Sequence, residues 1–164
     1  MTIEERLEAI EARCRKAEDH LEILNLLNAY GPLVDCCAAQ EAADLWIEGG
    51  TYNLTMPDGA ALCVTAPGEL ADVYAGDVHL ALTEAGSAHL TATPRVTIDG
   101  DSAQALAYSF VVLREGERWI VWRAAINHWT LARTDAGWRI AERFNRPLDG
   151  SRESRDTLRR VLAL

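Results

Sequence analysis

No stretch of this chain approaches the ~20 consecutive apolar residues that a membrane-spanning helix needs, so none is predicted. The first residues, TIEERLEAIEARCRKAEDH, have none of the apolar character of a secretory leader, and a cytoplasmic location is expected. Positive charge is scarce: 16 Lys and Arg stand against 25 Asp and Glu, a formal net of −9. A surface of that sign repels phosphates and disfavours nucleic acid as a partner. Cysteine is limited to Cys14, Cys36, Cys37 and Cys63, with no CxxC pair and no histidine at ligand spacing, which argues against a structural zinc. Cys36 and Cys37 are adjacent and point in different directions on a helix, so they do not easily bridge. No base stands beside any of the four to activate it as a nucleophile. All four read as reduced, partly buried thiols. No internal repeat or low-complexity segment is visible, and no motif calls for a metal or an organic cofactor.

What is present is enough for one domain with a sizeable core in 164 residues. Thr2 followed by Glu5 has the spacing of a capping box, and Ile3, Leu7, Ile10 and Cys14 repeat at helical intervals. Leu21, Ile23, Leu24, Leu26 and Leu27 extend the pattern, as one helix or as two with a bend near Glu18 to His20. Pro32 removes an amide donor from the carbonyl of Asn28 and predicts a kink there. A short helix is expected over Gln40 to Ile47, then strands at Thr51 to Leu54 and Ala61 to Val64 around a turn at Met56-Pro57-Asp58-Gly59. Pro67 opens a further helix, broken at Gly76 and running to about Glu84.

From His89 the character changes to β. Four runs, His89 to Ile98, Ser102 to Arg114, Arg118 to Thr134 and Trp138 to Asn145, are separated by Asp99-Gly100-Asp101, Glu115-Gly116-Glu117 and Asp135-Ala136-Gly137, all hairpin chemistry. Leu158, Val161 and Leu162 mark a last helix after Ser151. Helices followed by a meander of long antiparallel strands imply an α+β fold with helices packed on one sheet face. Parity along the last strand groups Trp138, Ile140 and Phe144 with Glu142, against Arg139, Ala141, Arg143 and Asn145. In the preceding strand Asn127 and Trp129 alternate with His128. Both faces are amphiphilic, so parity alone does not say which faces inward.

Asp35 shares a helical column with Leu27 and Gly31, a stripe where a carboxylate needs either solvent or a partner, and Gly31 leaves room for one. The blocks LLNAYGPLVDCC, DLWIEGGTYNL, SAHLTATPRVTIDGDSAQALAYS and GWRIAERFNRPLDG, in that order, resemble the SnoaL-like superfamily related to nuclear transport factor 2. Within it the likeness is to the branch of scytalone dehydratase, hexachlorocyclohexane dehydrochlorinase and bile-acid dehydratase. It covers roughly residues 20–150, leaving 1–19 as a helical extension and 151–164 as a C-terminal helix. The resemblance implies a cone-shaped barrel, a curved and mainly antiparallel sheet wrapped around the N-terminal helices, open to a small apolar, aromatic, steroid or polyketide-like ligand.

The resemblance also implies a site. Asp35 and His89 match the family's catalytic acid and base: a carboxylate orienting a neutral imidazole suits proton abstraction from carbon. Tyr30 resembles the tyrosine that bile-acid dehydratase carries just before its Asp, and Arg143 aligns with an arginine that the dehydrochlorinase uses near its leaving group. Both also have plainer readings, Tyr30 as core and Arg143 in a salt bridge near Glu142 or to Asp149. Tyr52, Asn127, Trp46, Tyr108 and Trp129 are the expected substrate-binding residues. His20 is expected to be solvated and His79 to be packed, exposed or at the pocket mouth; His128 is the alternative base. The chain departs from its relatives at Thr93, where they often carry Asn, and at the second histidine of scytalone dehydratase, which Tyr108 or Phe110 replaces. The expected activity is a cofactor-independent, dehydratase-like elimination. A polyketide-cyclase-type aldol reaction using Asp35 without His89, and a binding or accessory role without catalysis, stay open. Aromatic residues on both sheet faces also predict a homo-oligomer, dimer or trimer.

Overall fold

The computed structural model describes residues 1–56 and 59–162. The turn expected at Met56 to Gly59 centres on Pro57 and Asp58, outside the described residues.

Helix α1 (Ile3–Asp35) is one uninterrupted helix. Its capping box forms: the Thr2 hydroxyl accepts from the Glu5 amide at 3.1 Å, and the Glu5 carboxylate accepts from the Thr2 amide at 2.7 Å. Ile23, Leu27, Tyr30, Gly31 and Val34 are buried at intervals of three and four, the stripe by which the helix packs. Its first four turns are exposed. The helix runs one turn past Pro32, where the Cys36 amide donates to the Pro32 carbonyl at 3.0 Å.

Helix α2 (Ala39–Ala43) is shorter than the expected span, because Trp46 and Ile47 belong to β1 (Trp46–Thr55). The reason is tertiary: the Ile140 amide donates to the Leu45 carbonyl and Trp46 pairs with Ile140, drawing the segment into the sheet. β2 (Ala61–Thr65) returns antiparallel, and α3 (Gly68–Ala75) and α4 (Asp77–Ala85) follow, parted at Gly76 as expected. The expected strand from His89 to Ile98 is two, β3 (Ser87–Thr91) and β4 (Arg95–Asp99). Pro94, which has no donor for a ladder, lies between them, and both pair with β5 (Ser102–Glu115). β6 (Arg118–Thr134), β7 (Gly137–Pro147) and α5 (Arg152–Leu162) complete the chain. The α+β class and the curved sheet hold: seven strands in the order β2-β1-β7-β6-β5-β3, with β4 beside β5, antiparallel except for β1 with β7.

Two bulges correct the alternation read from the sequence. Ala141 is an extra residue in β7, between the pairs Leu131–Ile140 and Thr130–Glu142. Side-chain parity therefore flips there, so Trp138 and Ile140 and then Arg143 and Asn145 are the buried positions. Trp122 is likewise extra in β6, between Arg123 opposite Val111 and Val121 opposite Val112. The core lies between the α1 stripe and the inner sheet face, with Trp129, Leu131, Trp138 and Ile140 at its centre. α5 meets β6, with Ser154 and Thr157 most deeply buried and Leu158 and Val161 only half-buried.

Candidate active site

The site begins with a missing side chain. A Cβ at Gly31 would collide with the backbone carbonyl oxygen of His89, so only glycine lets β3 lie directly against α1. One turn further on, Asp35 then stands beside His89. Its Oδ2 accepts from the His89 backbone amide at 2.8 Å and its Oδ1 meets Nδ1 at 2.6 Å. A carboxylate in this role only accepts, so Nδ1 carries the proton and the lone pair is on Nε2. Nε2 has no hydrogen-bond partner among the described residues, and the ring lines a cavity of about 590 Å³. Burial pushes the His89 pKa below its ordinary value; Asp35 opposes that shift, while His79 and Arg143 add to it. The imidazole is thus neutral at neutral pH, with a basic nitrogen available.

Arg143 is the second feature. It is 3% exposed, and its guanidinium carbon lies 4.2 Å from the ring centre of Tyr30, 4.4 Å from that of Tyr52 and 5.7 Å from that of Trp129. These are cation–π distances. Nε donates to the Asn127 side-chain oxygen at 3.0 Å, while Nη1 is buried with no hydrogen-bond partner among the described residues. No carboxylate pairs with it among the described residues, so the salt bridge considered for it is replaced by an aromatic enclosure. Burial pushes the Tyr52 hydroxyl up to about 12, against the pull of Arg143, and raises Tyr74 as well. Both phenols remain protonated donors, and the Tyr74 hydroxyl is buried with no hydrogen-bond partner among the described residues.

The sequence profile of the SnoaL-like domain matches residues 15–144. The chain belongs to the SnoaL-like family. No curated protein sequence matches it. Among solved structures it is similar to a nuclear transport factor 2-like protein with a cystatin-like fold from Novosphingobium aromaticivorans, at 36% identity over 93% of this chain and 96% of that one, with a TM-score of 0.87. It also shares its fold with Aln2 from a Streptomyces species (16% identity, 80% and 92% covered, TM-score 0.69). ActVI-ORFA from Streptomyces coelicolor is similar in the same way (16% identity, 80% and 98% covered, TM-score 0.66).

On this SnoaL-like scaffold His89, Tyr30, Tyr52 and Arg143 all line the cavity, and Asp35 stands behind His89. Asn127, Trp46 and Trp129 are not on its wall. Asn127 is fully buried and accepts from both Arg143 and Asn145, while Trp46 and Trp129 pack behind Tyr52 and Arg143. They support lining residues. Tyr108 is corrected: it is 46% exposed and off the cavity wall, because the inward positions beside it in β5 are Ala105 and Ala107. His128 is also off the wall, near Arg160 of α5, and burial lowers its pKa. His79 does line the cavity: its Nε2 donates to the Val34 carbonyl at 2.9 Å, and its ring centre is 5.6 Å from that of His89.

Lining residues that escaped the sequence reading of the site include Tyr74, Arg123, Asn145 and Ser109. Arg123 and Asn145 had a signal only in strand parity, which does not say which face turns inward; Tyr74 had none beyond its place on a helix. The four cysteines are exposed rather than partly buried. Among the described residues no cluster of His, Cys, Asp and Glu could hold a metal ion, and no helix is long and apolar enough to cross a membrane.

Proposed function

We propose that this SnoaL-like protein is a dehydratase-like lyase. The observation that carries the reading is the Asp35–His89 pair, hydrogen-bonded at 2.6 Å with Nε2 left free on the wall of a mostly apolar cavity. Nε2 takes the proton from a carbon next to a carbonyl. The released electron pair forms the carbon–carbon double bond, and a hydroxyl on the next carbon departs, recovering the proton from His89 to leave as water. Asp35 holds the tautomer and stabilises the imidazolium. Tyr30, Tyr52 and Arg143, which line the cavity, would stabilise negative charge developing on oxygen. The likeness of the sequence blocks to the dehydratase branch supports the same reading.

The test is a screen of β-hydroxy and β-halo ketones, following enone absorbance with wild type, His89→Ala and Asp35→Asn. Loss of ~10²–10⁴-fold in rate in both variants is expected from removing a general base. Full activity in both would sink the dyad. Loss in Asp35→Asn alone would favour an aldol reaction with Asp35 as base, and ligand binding without turnover would favour a binding module. Self-association belongs to the same proposal, since Ile3, Leu7 and Ile10 on α1 and Trp119 and Val121 on β6 are more than half exposed.

A further inference from the structure

Resting on the ligand cavity of the proposed function, a second arginine narrows the substrate class. Arg123 lines the same cavity as Arg143. One nitrogen anchors it: Nη2 donates to the Thr55 carbonyl and to the Asn145 side-chain oxygen, both at 2.6 Å. Asn145 in turn donates to Asn127 at 2.8 Å, and Asn127 also accepts from Arg143 Nε. A relay of two amides thus joins the two guanidinium groups into one polar strip across β6 and β7. The amides are neutral and cancel no charge. Neither arginine has a carboxylate partner among the described residues. Asp77 is the one acid on the described wall; it is exposed, at the start of α4, and ion-pairs with neither.

Two fixed cations on a mostly apolar wall, in a chain with a formal charge of −9, are a local excess that no carboxylate among the described residues pairs. A partly desolvated guanidinium without a counter-ion is costly, and a bound anion relieves that cost. Arg123 is held by Nη2, while Nη1 and Nε have no hydrogen-bond partners among the described residues. Nη1 therefore keeps its N–H groups for a charge-assisted hydrogen bond to a carboxylate oxygen. Regular alternation in β6 puts Arg123 on the same face as Asn127, toward the cavity.

We propose that the ligand of this cavity is an organic acid with an apolar body, and that Arg123 is the specificity-determining residue that receives its carboxylate. Arg143 is left for the reacting oxygen.

The test compares binding of 2-naphthoate and 2-naphthamide, nearly equal in shape and different in charge, by calorimetry at pH 7. The carboxylate is expected to bind about tenfold or more tightly than the amide, the range of a charged hydrogen bond. In Arg123→Gln that advantage should shrink to about twofold or less, with amide affinity unchanged, and Arg123→Lys should restore part of it. Carboxylate binding no tighter than amide binding overturns the proposal, including the case in which neither binds. A preference that survives Arg123→Gln overturns the role of Arg123. His89→Ala should keep the preference, so failure of the base dyad and failure of this proposal are read separately.

Discussion

At the scale of residues, Asp35 serves two atoms of one partner, the ring and the backbone amide of His89. Both the hydrogen bond and the charge of Asp35 raise the His89 pKa against burial, which lowers it. Asp35→Asn should therefore move the His89 pKa further down, measured by nitrogen NMR of the imidazole. In the wild type the midpoint should fall below the ordinary 6.5. The sign for stability follows. Below 6.5 the unfolded chain takes up a proton that the folded His89 refuses, so stability falls as pH drops from there through the folded pKa. His128 acts in the same direction. Thermal unfolding between pH 7 and pH 5 should show that decline, and His89→Asn should flatten it. This pair was legible in the sequence because Asp35 shares a column with Gly31 and His89 stands in a strand with a family likeness. Arg123 was not, because strand parity groups it with Asn127 and Trp129 without saying which face turns inward.

At the scale of elements, the contact of α1 with β3 depends on Gly31. Gly31→Ala places a methyl group against the His89 carbonyl, and overpacking of this kind costs about 1–3 kcal/mol. The expected result in chemical denaturation is a lower midpoint, with the His89–Asp35 hydrogen bond lost from the imidazole spectrum. A second element prediction concerns β7. Deleting Ala141 removes the extra residue and closes the bulge, so Ile140 and Glu142 stay opposite Leu131 and Thr130 while Arg143 and Asn145 still face the cavity. Carboxylate preference and the aromatic enclosure of Arg143 should then survive together, seen as retained ligand binding and unaltered tyrosine absorbance. Hairpin separators and helix starts were readable from Gly, Pro and capping residues. Registers were not, since Ala141 and Trp122 become bulges only through their partners in β6 and β5. The short α2 has the same explanation, because pairing of Trp46 with Ile140 outweighs local propensity.

At the scale of the whole molecule, α1 has two halves with different work. Residues after Asp19 pack on the sheet, and Arg133 and Trp138 fasten Asp19 to it, the arginine by a pair of 2.7 Å hydrogen bonds. Before that point the helix is exposed and carries Ile3, Leu7 and Ile10 at spacings that place them on one side. Removal of residues 1–14 should leave the fold and the His89 pKa unchanged. If this stripe joins subunits, sedimentation should show a smaller particle after truncation; an unchanged mass would assign self-association to the outer sheet face around Trp119 and Val121. The order of elements and the helix-on-sheet plan were legible from the change of periodicity at His89. The direction of the exposed half-helix was not, because an apolar stripe reads the same whether it meets its own sheet or a neighbour.

The double grip of Asp35 has a consequence for how such a protein can change by descent. One oxygen orients the imidazole, while the other holds the start of β3 to the end of α1. A lineage that gave up the chemistry could exchange His89 for many side chains, since the backbone amide at that position would remain and still need its acceptor. Asp35 has no such liberty: its loss leaves a strand amide unsatisfied beside a helix it cannot leave. Drift should therefore erase the imidazole first and the acid last. Among descendants of this scaffold, an acid at this position reports that the architecture has been kept, and only the imidazole beside it reports that the proposed reaction has.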